Sequence, residues 1–441
     1  MTAISAIPTP GRAAGRKALM ALRREGHVLA ALGALHETLG DVFALPLPGF
    51  RSVVAVGPEA NRQLLNEARE HFLWRSTGDP VTRVLKQGLL VVDGPFHDEL
   101  RQIMTPALHR SLFEGFIQTM WQSTDRIADQ WCEGARIDML AATRHIALQI
   151  VTETLFGDNI GTELGALWHD ILRTIRYISP GPWLLWPSIP RLGYRRALRH
   201  MDAYCSRLIA RQRARAGTPD DLLGRLIAAG LSDDLIRDQL LTMLIAGHDT
   251  STALLAWSLY LLATHQDILA RVQREIDTVV GTHPPEGAHM RQLPVLDRVI
   301  KEVLRLYPPI HLGSRVAATD VVVGGFHIPA GTRVLYSIYL THRDERYWPS
   351  PHTFDPERFA PQQAPEHVAY SYLPFGGGPR NCIGASFAQV EAKIVLVRLL
   401  QRYTLRFVGG AVRPRMRATL EPAPRVLIEV HRRQHLTTPE I

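Results

Sequence analysis

Residues 375–384 read F-G-G-G-P-R-N-C-I-G. Gly376, Gly377 and Gly378 remove side chains just ahead of Cys382, which lets backbone approach a flat ligand closely. Arg380 stands two residues before the cysteine and can pair with an anionic group. Gly384 opens a stretch of helical periodicity that runs to about Arg402, so Cys382 sits at a helix N-terminus. Free N–H groups and the helix dipole favour the thiolate there. Such amides also tune a metal bound to the sulfur. A free cysteine is by default an inert buried residue, but these neighbours argue for a ligand. One thiolate without a companion cluster suits haem iron better than zinc.

The rest of the composition is compatible with that reading. The chain has 441 residues, of which 46% are hydrophobic, enough for a large core. Length alone suggests about three domains at roughly 150 residues each. The motifs need one shared site, which predicts a single domain over 1–441. Fifty Lys and Arg against 42 Asp and Glu give a net charge of +8. That excess suits nucleic acid, a membrane surface or an acidic partner. No block of five or six consecutive basic residues occurs, so nucleic acid is not expected. Cys132, Cys205 and Cys382 are widely spaced and odd in number. This argues against a disulfide framework and for a reducing compartment, with Cys132 and Cys205 read as buried and inert. The N-terminal M-T-A-I-S-A-I-P-T-P-G-R lacks the apolar core of a secretory signal. No run of about 18 apolar residues exists for a transmembrane anchor. The expectation is a soluble, cytoplasmic protein.

Helical patterns dominate the first half. One follows Asp93-Gly94-Pro95 and carries His97, Leu100, Arg101, Met104 and Leu108. Others cover about 116–133, 142–156, 162–179 and 190–215. Ser232-Asp233-Asp234 reads as an N-cap with first-turn acids, opening a pattern that runs to about His265. It is apolar almost all round and should be buried. A further helix spans 294–306. Short strands are predicted at 321–323, 326–328 and 334–336. Residues 343–381 are rich in Pro and Gly, and so long an irregular stretch tends to be functional.

The long buried helix contains A-G-H-D-T-S at 246–251. Thr250 can bond back to the Ala246 carbonyl and open the helix locally. Gly247 would let it pass near a cofactor. Burying Asp249 beside Thr250 is costly unless the pair is used or satisfied. His248 reads as packed. Glu302 and Arg305 form an i,i+3 pair in E-V-L-R, commonplace on its own, and P-E-R-F at 356–359 supplies Arg358. His97 and Arg101 in H-D-E-L-R share one helix face. His109, His265 and His311 have no ligand spacing and read as structural or surface residues.

The spacing F-x-x-G-x-R-x-C-x-G is similar, at every fixed position, to the haem-binding loop of the cytochrome P-450 superfamily. The other motifs follow in that family's order, so the resemblance spans about 97–384. It implies a mainly α fold with a small β part (α+β), with haem between the long central helix and the cysteine loop. The implied cofactor is haem b, iron protoporphyrin IX, with Cys382 as axial thiolate. Ala246, Gly247, Phe375, Gly376 and Gly384 would lie against it. His97, Arg101, Arg315 and Arg380 would face its propionates; His97 stands where a common family pattern has Trp. Asp249 and Thr250 would deliver protons to the oxygen being activated. Glu302, Arg305 and Arg358 would form a buried structural network.

By the same resemblance, pocket residues would be Leu89, Leu90, Met243, Ala246, Ile310, Leu312 and Leu420, implying a hydrophobic substrate such as a fatty acid or terpenoid. The implied reaction is monooxygenation with O2. Electrons would come from a separate ferredoxin, flavodoxin-type or reductase donor, docking by its acidic face near Arg380, Lys393, Arg398 and Arg402. Two rivals are a peroxide-using peroxygenase or isomerase of the same fold and a non-catalytic haem sensor. Retention of Asp249 and Thr250 argues against both. The loop I-S-P-G-P-W-L-L-W-P at 178–187, with Trp183 and Trp186, is either packed on the core or an access lid touching lipid.

Overall fold

Ser232 caps the central helix by accepting from the Leu235 amide at 3.3 Å, and Asp233 and Asp234 occupy its first turn. From this cap one helix runs over Asp233–Thr264, 32 residues, or roughly 48 Å at 1.5 Å per residue. It is buried on nearly every face because other helices surround it. Met139–Phe156, Tyr194–Ala214 and Ala385–Arg402 all pack against it. The structure, a computed structural model, describes residues 6–47, 50–75, 78–108, 113–159, 164–179, 193–215, 221–363 and 367–433. The tryptophan loop at 178–187 lies outside the described residues from Pro180 onward, as does His109.

Most predicted helices are present. Gly94–Met104 continues as a 3-10 turn to Leu108. Phe113–Ala128 ends earlier than periodicity suggests, because the chain turns there to start strand Ala135–Asp138. Cys132 lies in that turn and is exposed, not buried as expected. Met139–Phe156 begins three residues early, since Asp138 caps it through the Leu140 amide at 3.2 Å. A helix at Gln266–Val279 follows the central one with only His265 between them. No Gly or Pro marks that break, which hides it in the sequence.

The β part is larger than the three short strands predicted. Val42–Leu47, Phe50–Ala55, Arg333–Ser337, Leu312–Ala317 and Phe72–Leu73 form a mixed five-stranded sheet in that order. Phe50–Ala55 runs parallel to Arg333–Ser337, and the other pairs are antiparallel. The N-terminal helices Arg12–Glu25 and Val28–Leu39 pack on this sheet through Leu29, Leu32, Leu35, Phe43 and Val54. Ala135–Asp138, Leu427–Arg432 and Tyr403–Phe407 form a second sheet. A hairpin, Arg413–Met416 with Leu420–Ala423, brings the C-terminal region back over the central helix. No described helix is long and apolar enough to cross a membrane.

Candidate active site: a cavity between the central helix and the cysteine loop

Three glycines allow the backbone to fold under Cys382. Gly376 and Gly378 adopt φ of +73° and +67°, a region that disfavours side chains. At Gly378 a Cβ would also lie 2.1 Å from the Leu65 carbonyl oxygen. The loop closes when the Cys382 amide donates to the Phe375 carbonyl at 2.8 Å. Gly384 then serves as N-cap of Ala385–Arg402.

Above the loop lies a cavity of about 1150 Å³, ample for a macrocycle and a second molecule. Cys382 is open to this cavity, along with Phe375, Gly376 and Gly384. The central helix contributes Met243, Ala246, Gly247, Asp249 and Thr250 to its wall, and Leu89, Leu90, Ile310 and Leu312 complete the apolar part. Leu420 does not join them. Its amide donates to Pro309 and its carbonyl accepts from Trp257 Nε1 at 2.9 Å, which holds it in the core; Ala418 and Thr419 reach the cavity instead. His311, read as structural, lines the cavity while fully buried, and burial pushes its pKa down to about 4.

The wall beside the loop is cationic. Arg101 donates to the Asn381 carbonyl at 2.8 Å and to Asn381 Oδ1 at 2.7 Å. Arg315 lies 3.6 Å from the centre of the Trp74 ring. His97 is buried, with Nδ1 2.8 Å from Asp98 Oδ1; burial lowers its pKa against that contact. Arg380 also lines the cavity, but it pairs with Asp93 and donates to the Val92 carbonyl at 2.6 Å. Asp93 thus supplies one anion for it within the chain. Burial pulls its pKa down to about 10, with Asp93 opposing.

Trp74 and Arg75 are among the lining residues that escaped the sequence reading. Trp74 Nε1 and Arg75 Nε are buried donors without an acceptor among the described residues. A Trp–Arg dipeptide carries no periodic signal that would mark it. Cys382 opens on the same space: burial pushes its thiol pKa up, while the Gly384 amide and Arg101 pull it back. A sulfur ligand open to the cavity, with unpaired donors and guanidinium groups around the same space, fits a flat metal-centred ring bearing carboxylates.

On the central helix Thr250 Oγ1 donates to the Ala246 carbonyl at 2.7 Å, as its spacing predicts, yet the helix runs through without a break. Gly247 lines the cavity and has a second reason besides the one expected. A Cβ there would meet Val151 Cγ2 at 3.0 Å, so glycine permits close approach of two helices. Asp249 Oδ2 accepts from Thr419 Oγ1 at 2.8 Å, and its buried Oδ1 has no partner among the described residues. Burial, then the nearby Glu421 charge, raise its pKa to about 6. Ser251 Oγ lies 2.6 Å from Glu391 Oε2; burial lifts the Glu391 pKa to about 8, so this acid is protonated at neutral pH. A lone acid on the buried stripe of Ala385–Arg402 was its sequence signal. His248 is fully buried, and desolvation drives its pKa to about 3.

Behind the loop, Arg305 makes five hydrogen bonds. Two go to Glu302, at 2.7 and 2.8 Å, and three to the carbonyls of His342, Pro351 and Thr353 at 2.8, 2.8 and 3.2 Å. Arg358 reaches Glu302 Oε1 at 3.3 Å, the Ser350 carbonyl at 2.7 Å and the Pro349 carbonyl. His342 extends the network. Its Nδ1 faces the Arg305 carbonyl at 3.1 Å, and its Nε2 accepts from the Leu373 amide at 2.7 Å, two residues before Phe375. These partners require the neutral Nδ1–H tautomer, and burial, which lowers its pKa to about 3, keeps it neutral.

The proposed docking cations are not free. Lys393 bonds Asp297 at 2.9 Å and the Met290 carbonyl at 3.0 Å, Arg398 bonds Asp125 at 2.8 Å, and Arg402 bonds Asp125 and Asp129, each at 2.6 Å. Each is engaged by a carboxylate of another helix, with Asp125 shared by Arg398 and Arg402 and Asp297 shared with Lys301.

Fold and site together define a haem-thiolate protein. The family model described as Cytochrome P450 matches residues 16–429. Cyclooctatin synthase of Streptomyces melanosporofaciens is 31% identical over 431 residues, covering 93% of this chain and 92% of that protein. Pentalenene oxygenase of Streptomyces avermitilis is 30% identical over 432 residues, covering 95% and 94%. Among solved structures, the cytochrome P450DA haem domain superposes with a TM-score of 0.87 at 26% identity, covering 98% of both chains. Retinoic acid-bound cyanobacterial CYP120A1 gives 0.85 at 25% identity, covering 98% of this chain and 100% of that one. The chain belongs to the cytochrome P450 family. It is a monooxygenase whose cofactor is haem held by a cysteine thiolate.

Arg358→Ala should leave Glu302 partly unpaired in the interior, costing roughly 3–5 kcal/mol. Haem retention, followed by the Soret-to-280 nm ratio on mild heating, should fall, while haem-retaining molecules keep their spectrum. Asp249 has a raised pKa in the folded state, so its contribution to stability is full in acid and lost as pH rises through about 6. Asp249→Asn should therefore gain on the parent above that pH, by up to about 3 kcal/mol. The gain should close towards the ordinary carboxylate range, as read by urea unfolding across pH. A pH-independent difference would contradict the buried-acid assignment.

Proposed function

We propose that this chain, working as one haem domain, inserts one oxygen atom from O2 into a hydrophobic small molecule of fatty-acid or terpenoid type. Electrons come from a separate ferredoxin, flavodoxin-type or reductase donor. The observation that carries this reading is that Cys382, the pair Asp249–Thr250 and an apolar wall all face one cavity. The relatives named for cyclooctatin and pentalenene, both terpenoid skeletons, favour a terpenoid.

When bound, haem supplies oxygen activation, with thiolate donation favouring O–O cleavage. Cys382 is the residue for that bond. It alone of the three cysteines lines the cavity, whereas Cys205 is buried elsewhere and desolvation lifts its pKa to about 12. Arg75, Arg101, Arg315 and His97 would hold the carboxylates. Asp249 has a pKa near 6, so it can both give and take a proton at working pH. Thr419 steadies its carboxyl while Thr250, anchored on Ala246, presents the neighbouring hydroxyl. Leu89, Leu90, Met243, Ile310 and Leu312 orient an apolar substrate and keep water from competing for those protons.

The reduced, carbon monoxide-bound holoprotein should show the strongly red-shifted Soret band of thiolate ligation, and Cys382→Ala should lose it. A band typical of histidine ligation in the parent would overturn the reading. Thr250→Val should lower product formation by about 10²-fold while O2 uptake continues and hydrogen peroxide accumulates. Coupled turnover equal to the parent would remove Thr250 from proton delivery.

A further inference from the structure

The C-terminal hairpin ends in a turn that enters the cavity, and the turn is pinned at three points. The Ala418 amide donates to Ser179 Oγ at 3.0 Å, Thr419 Oγ1 to Asp249 at 2.8 Å, and the Leu420 amide to the Pro309 carbonyl at 2.9 Å. Its arginines therefore have defined positions. Arg413, Arg415 and Arg417 all line the cavity, with Arg413 exposed at the rim.

Too few carboxylates serve this cluster. Glu421 accepts from Arg144 and, at 3.1 Å, from Arg415, while Arg417 Nε stands 3.9 Å away, beyond hydrogen-bond range. Arg176 adds to the positive field at Arg417. Asp249 is a second carboxylate, mostly ionised at neutral pH with a pKa of about 6, but its hydrogen bond goes to Thr419 and not to an arginine. Nε of both Arg144 and Arg415 is buried without an acceptor among the described residues. Residues 180–192, which follow Ser179, contain no Asp or Glu. Desolvation pulls the Arg417 pKa down, only partly opposed by Glu421. Cations short of counter-charge on the wall of an apolar pocket are costly unless something else supplies the anion.

We propose that Arg415 and Arg417 form an anion subsite, so that the substrate is an amphipathic carboxylate whose acid group docks on the hairpin turn while its apolar body lies against Leu89, Met243 and Ile310. The planar guanidinium fork matches a carboxylate. Glu421 holds the donors in place from behind. This rests on the reading that the cavity is the substrate pocket of the oxygenase.

The test is ligand titration of the holoprotein with dodecanoic and abietic acids against the matching primary alcohols, dodecan-1-ol and abietinol. Binding is followed by the Soret spin-state shift and independently by calorimetry. At least one acid should bind about tenfold tighter than its alcohol, and Arg417→Gln should weaken that acid by about tenfold while leaving the alcohol nearly unchanged. Arg417→Lys should retain most of the preference. Because Arg415 also steadies Glu421, Arg417→Gln is the decisive variant, with its carbon monoxide spectrum as the check on folding. Acids that fail to bind, acids no tighter than alcohols, or an Arg417→Gln loss shared equally by both would overturn the subsite and leave the oxygenase reading standing. A parent carbon monoxide complex without the red-shifted band would remove that reading, and the subsite with it.

Discussion

Arg305 is fully buried, and a guanidinium offers five N–H donors. All five are used, two on Glu302 and three on backbone carbonyls of residues 342–353. Those carbonyls belong mostly to a segment without a ladder of its own. A buried cation thus does the work that strand pairing does elsewhere: it satisfies main-chain acceptors that would otherwise be orphaned. Arg358 repeats the device on Pro349 and Ser350. Glu302 makes both cations tolerable in the interior, and the Asp355 amide donates to it at 3.0 Å. His342 carries the constraint on to Leu373, and the cysteine loop begins two residues later. The position of Cys382 therefore depends on a network that never touches the cavity.

The acids around the cavity show the opposite regime. Glu302 meets two guanidiniums, whereas Glu391 meets a hydroxyl and Asp249 a hydroxyl with another carboxylate nearby. Desolvation then dominates, and both pKa values rise into the range where protons move at neutral pH. One helix thereby holds an aspartic acid able to exchange protons two residues from a serine that locks it to the helix following the cysteine. The central helix is tied to both walls of its own site.

Much of this was legible from pattern. The F-x-x-G-x-R-x-C-x-G spacing, the buried A-G-H-D-T-S run and the cap at Ser232 each have a local physical cause, and each lies where expected. Thr250 finds Ala246 because four residues is one helical turn. What escaped was set by distant neighbours. Trp74 and Arg75 reach the cavity from the end of a two-residue strand, and Thr419 meets Asp249 across 170 residues. Lys393, Arg398 and Arg402 read in the sequence as free cations, whereas Asp125, Asp129 and Asp297 from other helices pair with them.

The sequence by itself determined the chemistry of the site: a cysteine at a helix start, glycines where the backbone must turn or pack closely, and an acid and an alcohol in an apolar helix. These follow from residue type and spacing over a few residues, where covalent geometry dictates who meets whom. Only the tertiary structure decided which charges remain unpaired and which residue of a turn faces inward. Arg417 is short of an anion and Leu420 is turned away because electrostatics and packing sum over every element that converges on a point. No window of sequence contains that sum.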